Sequence, residues 1–154
     1  MEIAVRDAGD HDLAELVRLY RLLEQEMDAI HPLWSRADGL PAPLEDSLSG
    51  AVRSTAWIAL LASIDRVDLG FLIAEITALL DGEEIGAMRL VFVEEEARGV
   101  GVGEALRDEA LSQMRARGLT LFDAYVLPGH RLAKNFFEQG GFAARSIVMH
   151  HADG

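Results

Sequence analysis

Hydrophobic and polar positions along this chain change period several times, and each change marks an element. Ile3 to Arg6 alternates apolar and polar residues, which predicts a short first strand. Leu13, Leu16, Val17, Tyr20, Leu23 and Met27 then recur at helical spacing, behind Asp12 and Glu15 as a capping-box pair. His31-Pro32-Leu33-Trp34 breaks that pattern, and Pro41 and Pro43 keep it broken until a short helix around Leu44 to Val52. From Trp57 the period is that of strands. Trp57 to Ala62, Asp68 to Leu79 and Glu84 to Val93 are separated by turn signals at Asp65-Arg66 and Asp81-Gly82, an antiparallel meander. A helix running to about Arg117 follows, with Leu106, Ala110, Leu111 and Met114 as its buried face and Gly118 as its stop. Leu119 to Leu127 reads as a strand, Leu132 to Gln139 as a short helix ended by Gly140-Gly141, and Phe142 to His150 as a last strand. The order β-α-α-β-β-β-α-β-α-β predicts an α/β (α+β) chain, a mixed sheet with helices on both faces.

Composition narrows this picture. A chain of 154 residues is expected to form one domain, 1–154, large enough to bury a core. No apolar run reaches bilayer length, and Met1-Glu2-Ile3 lacks the basic start of a signal peptide, so no membrane partner and a cytoplasmic location are expected. Cysteine is absent, which excludes disulfides, thiolate metal sites and a cysteine nucleophile together. With 14 basic against 26 acidic residues the formal charge is −12, a balance that repels nucleic acid. The same charge suits cationic small molecules or basic peptides, or serves only solubility. His150 and His151 stand together with no third ligand in view, so no metal is expected.

The segment with chemical content is Arg98-Gly99-Val100-Gly101-Val102-Gly103, a glycine-rich turn between a strand and a helix. Successive backbone N–H groups in such a turn form a nest for anionic oxygens, and the helix adds its positive end. The glycines remove the Cβ atoms that would block a phosphate, and Arg98 adds a permanent charge. A Walker loop is excluded because no Gly-Lys-Ser/Thr is present. The Rossmann spacing fails as well, since Glu104 or Leu106 stands where the third glycine belongs. The pattern that fits is Arg98-x-x-Gly101-x-Gly103.

With that loop, Leu90-Val91-Phe92-Val93 before it and Ala105-Leu106 after it, the chain resembles the GNAT superfamily of N-acetyltransferases. A second motif, His130-x-x-Ala133-x-x-Phe136-Phe137-Glu138-x-x-Gly141-Phe142, is similar to that family's closing helix and strand, and the resemblance covers essentially the whole chain. It implies a mostly antiparallel sheet of six to seven strands. It also implies acetyl-CoA as cosubstrate, its pyrophosphate held by Arg98, Gly99, Val100, Gly101, Val102, Gly103 and Glu104. The pantetheine arm would lie where the strand Glu84 to Val93 parts from Leu119 to Leu127, paired with the backbone of Val91, Phe92 and Val93, near His130 and Phe137. A bulge there would free an N–H for the thioester carbonyl. The acceptor amine attacks directly in a ternary complex, in accord with the absence of cysteine. Dimers are common among the look-alikes, so the resemblance admits a homodimer.

Two positions depart from the family pattern. Phe137 stands where many members carry a tyrosine that protonates the leaving thiolate, and Ala87 stands where some carry a general-base glutamate. Glu75 and Glu84, on strands flanking the cleft, become the base candidates, or else solvated strand residues. Tyr125 becomes a substitute acid, or a packing residue. His130 replaces a common asparagine. It could bond the pantetheine arm, protonate the thiolate, or cap the helix near Leu132. On the acceptor side Glu26, His31 and Trp34 could hold an ammonium by charge and cation–π contact, or form a solvated helix end and a loop anchor. Glu94-Glu95-Glu96 is read as solvated, which makes Arg98 more important to the site. The expectation is an N-acetyltransferase acting on a primary amine, either a small molecule or a peptide terminus. The alternative is a degenerate domain that binds acyl-CoA as a sensor.

Overall fold

The computed structural model describes residues 1–154. Its elements are β1 (Ile3–Asp7), α1 (Leu13–Ile30), α2 (Trp34–Ala37), α3 (Leu44–Arg53), β2 (Trp57–Ile64), β3 (Val67–Ala78), β4 (Glu84–Val93), α4 (Val102–Ala116), β5 (Phe122–Ala124) and α5 (Arg131–Gln139). The strands lie in one sheet in sequence order, antiparallel from β1 to β4, with β5 parallel to β4.

Each face of the sheet carries its own core. On one face Leu16, Leu19, Tyr20, Leu23 and Met27 of α1 and Leu48 of α3 pack on Leu61, Phe71, Ile73, Leu90 and Phe92. On the other face Val102, Leu106, Ala110, Leu111 and Met114 of α4, with Phe137 of α5, cover Leu60, Leu72, Ala74 and Met88. The α4 stripe is the one its sequence period predicts. Burying each leucine of these clusters contributes roughly 1.5–3 kcal/mol.

Three expectations are corrected. The sheet has five strands, because Phe142 to His150 forms none. Phe142 docks its ring on Phe137, with centroids 5.4 Å apart, and the chain beyond is tied to β5 by the Arg145–Asp123 ion pair, a side-chain contact. A strand needs a backbone ladder, and here Ile147, Val148 and Met149 stand exposed. The strand expected over Leu119 to Leu127 pairs only at Phe122–Ala124. The capping box sits one turn early. Asp12 Oδ2 accepts from the Gly9 N–H at 2.9 Å, while Glu15 pairs with Arg18. Arg6 draws Asp12 backward with a 2.9 Å ion pair. Burial alone would raise the Asp12 pKa, but the Gly9 and Arg6 contacts outweigh it and hold the carboxyl below its ordinary value.

Candidate active site

The turn that follows β4 performs the local geometry its glycines allow. Gly99 and Gly101 take φ of 82° and 102°, the left-handed region in which a side chain is strained. Gly101 is the N-cap of α4, so the first N–H groups of a 15-residue helix open at this point. Val102 is buried and anchors the turn in the core, whereas Val100 is exposed. At Gly103 an added Cβ would lie 3.3 Å from the Phe136 ring, so this glycine serves the close packing of α4 on α5. Arg107 reinforces that packing by donating to the Phe136 carbonyl at 3.2 Å. Glu104, in the first turn of α4, sets an exposed carboxylate beside the nest.

Arg98 is held from two sides. Its Nε donates to the Val93 carbonyl at 2.9 Å, and Nη2 pairs with Glu26 of α1 at 2.9 Å. Its guanidinium lies over the buried ring of Phe92, 5.6 Å from the centroid. The remaining N–H groups are left as donors in a fixed fork, in the segment that opens α4. Glu26 also stands 4.0 Å from Nε2 of His130, the N-cap residue of α5. Burial pushes the His130 imidazole below its ordinary pKa. Glu26 opposes that shift and Arg98 adds to it. His130 is therefore a neutral group at neutral pH, suited to hydrogen bonding more than to supplying a proton.

Beyond Arg98 the sheet parts. β4 and β5 pair over Gly86–Met88 and Phe122–Ala124, and the last contact is the Tyr125 N–H on the Met88 carbonyl at 3.1 Å. Past this point β4 has no strand on that edge. The β3–β4 register slips between Ile73↔Leu90 and Ala74↔Met88, leaving Arg89 as the extra residue of a bulge. The gap holds a small cavity of about 30 Å³, with Arg89, Tyr125, His130, Trp34, Val91 and Phe137 among the residues that line it. A wider groove of about 520 Å³, between α1 and Ser35–Leu44, shares none of these residues.

The other expected residues fall as follows. Glu75 lies directly across the ladder from Ala87, with its Oε2 4.0 Å from Arg89 Nη1. Glu84 begins β4 at the hairpin opposite Ala78 and is exposed. It lies six residues from Leu90, about 20 Å along a strand, so it does not reach the cleft. Tyr125 continues β5 at the cleft wall, with the Arg89 guanidinium 4.6 Å from its ring centroid. Phe137 is buried between Phe136 and Phe142 and also faces the cleft. Trp34 is a buried wall residue stacked at a tilt on Tyr20. His31 points elsewhere, its Nδ1 accepting the Leu33 N–H at 3.1 Å and its ring meeting that of His150. Glu26, expected to hold an ammonium, is engaged by Arg98 instead. No group of three or more ligating side chains could hold a metal ion, and no helix is long and apolar enough to cross a membrane.

Arg89 is the residue that the sequence pattern did not single out. Its only sequence signal is a cation inside the apolar run Ala87-Met88-Arg89-Leu90-Val91.

The acetyltransferase (GNAT) family model matches residues 16–142, from α1 to the turn after α5. A mycothiol acetyltransferase of Cellulomonas flavigena is 33% identical over 66 residues, 43% of this chain and 19% of that protein, so the chain spans about a fifth of that relative. A tetramutant of the BH1408 protein of Bacillus halodurans superposes with a TM-score of 0.84 at 19% identity, covering 97% of this chain and 99% of the other. AAC(6')-Iy, solved with the bisubstrate analog CoA-S-monomethyl-acetylneamine, superposes with a TM-score of 0.76 at 16% identity, over 100% and 99% of the two chains. With the glycine turn opening α4, the parted strands β4 and β5, and a family match across most of its length, this chain belongs to the acetyltransferase (GNAT) family.

Proposed function

We propose that the chain transfers an acetyl group from acetyl-CoA to a primary amine by direct attack in a ternary complex. The observation that carries this reading is the continuity of the glycine turn with the parting of β4 and β5. One path leads from an anion nest to an unpaired strand edge. The nest and the free N–H groups of Arg98 suit a pyrophosphate, and the β4 edge around Val91 to Val93 suits the amide-bearing arm. The bulge at Arg89 offers backbone N–H to a thioester oxygen as it gains charge. Holding both substrates in line supplies much of the acceleration.

Proton transfer falls to groups near the bulge. Glu75, across from Ala87, takes the proton of the attacking amine through a water. Tyr125 carries the one hydroxyl lining the cleft and donates to the departing thiolate, the role for which Phe137 has no hydroxyl. His130 bonds the pantetheine arm.

Thiol release from acetyl-CoA across a panel of primary amines tests this, read with a colorimetric thiol reagent to which a cysteine-free protein adds no background. Turnover with any amine supports transfer. Tight acetyl-CoA binding with no turnover would favour the second reading, a domain that binds acyl-CoA as a sensor, for which Phe137 and Ala87 speak.

A further inference from the structure

The residues lining the cavity itself include no carboxylate, in contrast to the acidic chain as a whole; Glu75 is not among them but stands 4.0 Å from Arg89, which carries the permanent charge of the lining. Arg89 is also placed unlike the other cleft-mouth arginine. Arg98 commits Nε and Nη2 to Val93 and Glu26 at 2.9 Å each. Arg89 sets its guanidinium carbon 4.6 Å from the centroid of the Tyr125 ring and meets Glu75 only at 4.0 Å, beyond hydrogen-bond range. Its guanidinium fork is thus oriented by the ring and left with N–H groups to donate, and its side chain keeps 36% of its surface open. It also belongs to the bulge residue itself, so on the acetyl-transfer reading a group bound to this fork would sit beside the thioester.

We infer that the acceptor carries a carboxylate near its amine, as an α-amino acid does, and that Arg89 is the residue that selects it. The inference rests on the acetyl-transfer reading above. A planar carboxylate matches the guanidinium fork in a bidentate pair. Glu75, whose side chain is 24% exposed, then faces the amine of the same molecule. A chain of formal charge −12 does not attract anions at long range, and at physiological ionic strength its field is screened within about 8 Å. Recognition therefore depends on this one local cation. A polycationic acceptor would instead set its ammonium groups against Arg89.

The test uses the intact chain, a set of α-amino acids and their carboxamides, and one aminoglycoside. Thiol release gives kcat/KM, and the fluorescence of Trp34, a wall residue of the cleft, read in a Trp57→Phe background, reports acceptor binding with CoA present. Free amino acids should exceed their carboxamides by at least roughly tenfold, the loss that accompanies one charged hydrogen-bonded contact. Arg89→Gln should bring that ratio close to one, and Arg89→Lys should keep part of it. A wild-type ratio near one, a preference for carboxamides or the aminoglycoside, or an unchanged ratio in Arg89→Gln would overturn the inference. An unchanged ratio would mean that Arg89 merely holds Tyr125. Thiol release without the preference leaves acetyl transfer standing and removes the inference. The binding preference without thiol release does the reverse.

Discussion

At the loop end the cleft is made of backbone, and at the Arg89 end it is made of side chains from three neighbouring lines of chain. The loop end needs one contiguous segment, Arg98 to Gly103, whose φ angles and helix start are local properties. The Arg89 end needs Glu75 from β3, Arg89 from β4 and Tyr125 from the continuation of β5, brought together only by register. The difference teaches where binding and selectivity reside. A backbone nest tolerates little change and serves one ligand group, whereas a side-chain cluster can change its chemistry one residue at a time.

The sharpest way to separate the two ends is Gly101→Glu. It forces a side chain into φ of 102° and sets a carboxylate in the nest. CoA affinity should fall by more than about 1,000-fold, equivalent to ~4 kcal/mol, in a calorimetric titration. The far-ultraviolet circular dichroism should remain, since an added Cβ meets nothing closer than 3.6 Å. Retained CoA binding would mean that the nest lies elsewhere.

Glu75→Gln tests the other end. It should lower kcat/KM by about 100-fold, with CoA affinity unchanged. An unchanged kcat/KM would transfer the base role to solvent.

Glu26→Gln probes the link between the ends and should have the smallest effect. Loss of a carboxylate beside the phosphate site should tighten CoA by a few-fold, about 0.5–1 kcal/mol. It should also lower the His130 pKa further, since Glu26 is what opposes the effect of burial. The sign for stability follows from that. With a depressed pKa the folded chain binds fewer protons than the unfolded chain below about pH 6.5, so stability falls as pH drops through that range. Denaturant melts between pH 7 and 5 should show a steeper fall in Glu26→Gln. An equal or shallower fall would show that Glu26 does not act on His130.

The same contrast explains how much could be read from the chain. The α4 stripe, the β2–β4 meander and the Arg98 loop were legible because each depends on period or on residues within one segment. Glu84 reads like Glu75 in sequence, but only the ladder shows one at a hairpin and the other opposite Ala87. Glu26 was expected at an ammonium because nothing local reveals that α1 brings it to Arg98, 72 positions later. The alternation in Phe142 to His150 predicted a strand, yet a strand also requires a partner edge, and β5 pairs over three residues only. Arg89 escaped notice because a bulge is a mismatch between two strands, and no single strand records it.

That bulge has a consequence for how such a protein can diversify. An unpaired extra residue is the one place on β4 where substitution leaves the ladder untouched. Deleting it would leave Met88 opposite Ala74 and Leu90 opposite Ile73, a regular ladder with Leu90 and Phe92 still on their core face and the bulge gone. The extra residue is therefore needed for the bulge and not for the facing of the strand, while its side chain can change without disturbing the ladder. A lineage carrying this fold can exchange acceptors by point mutation there, without first surviving an unstable intermediate.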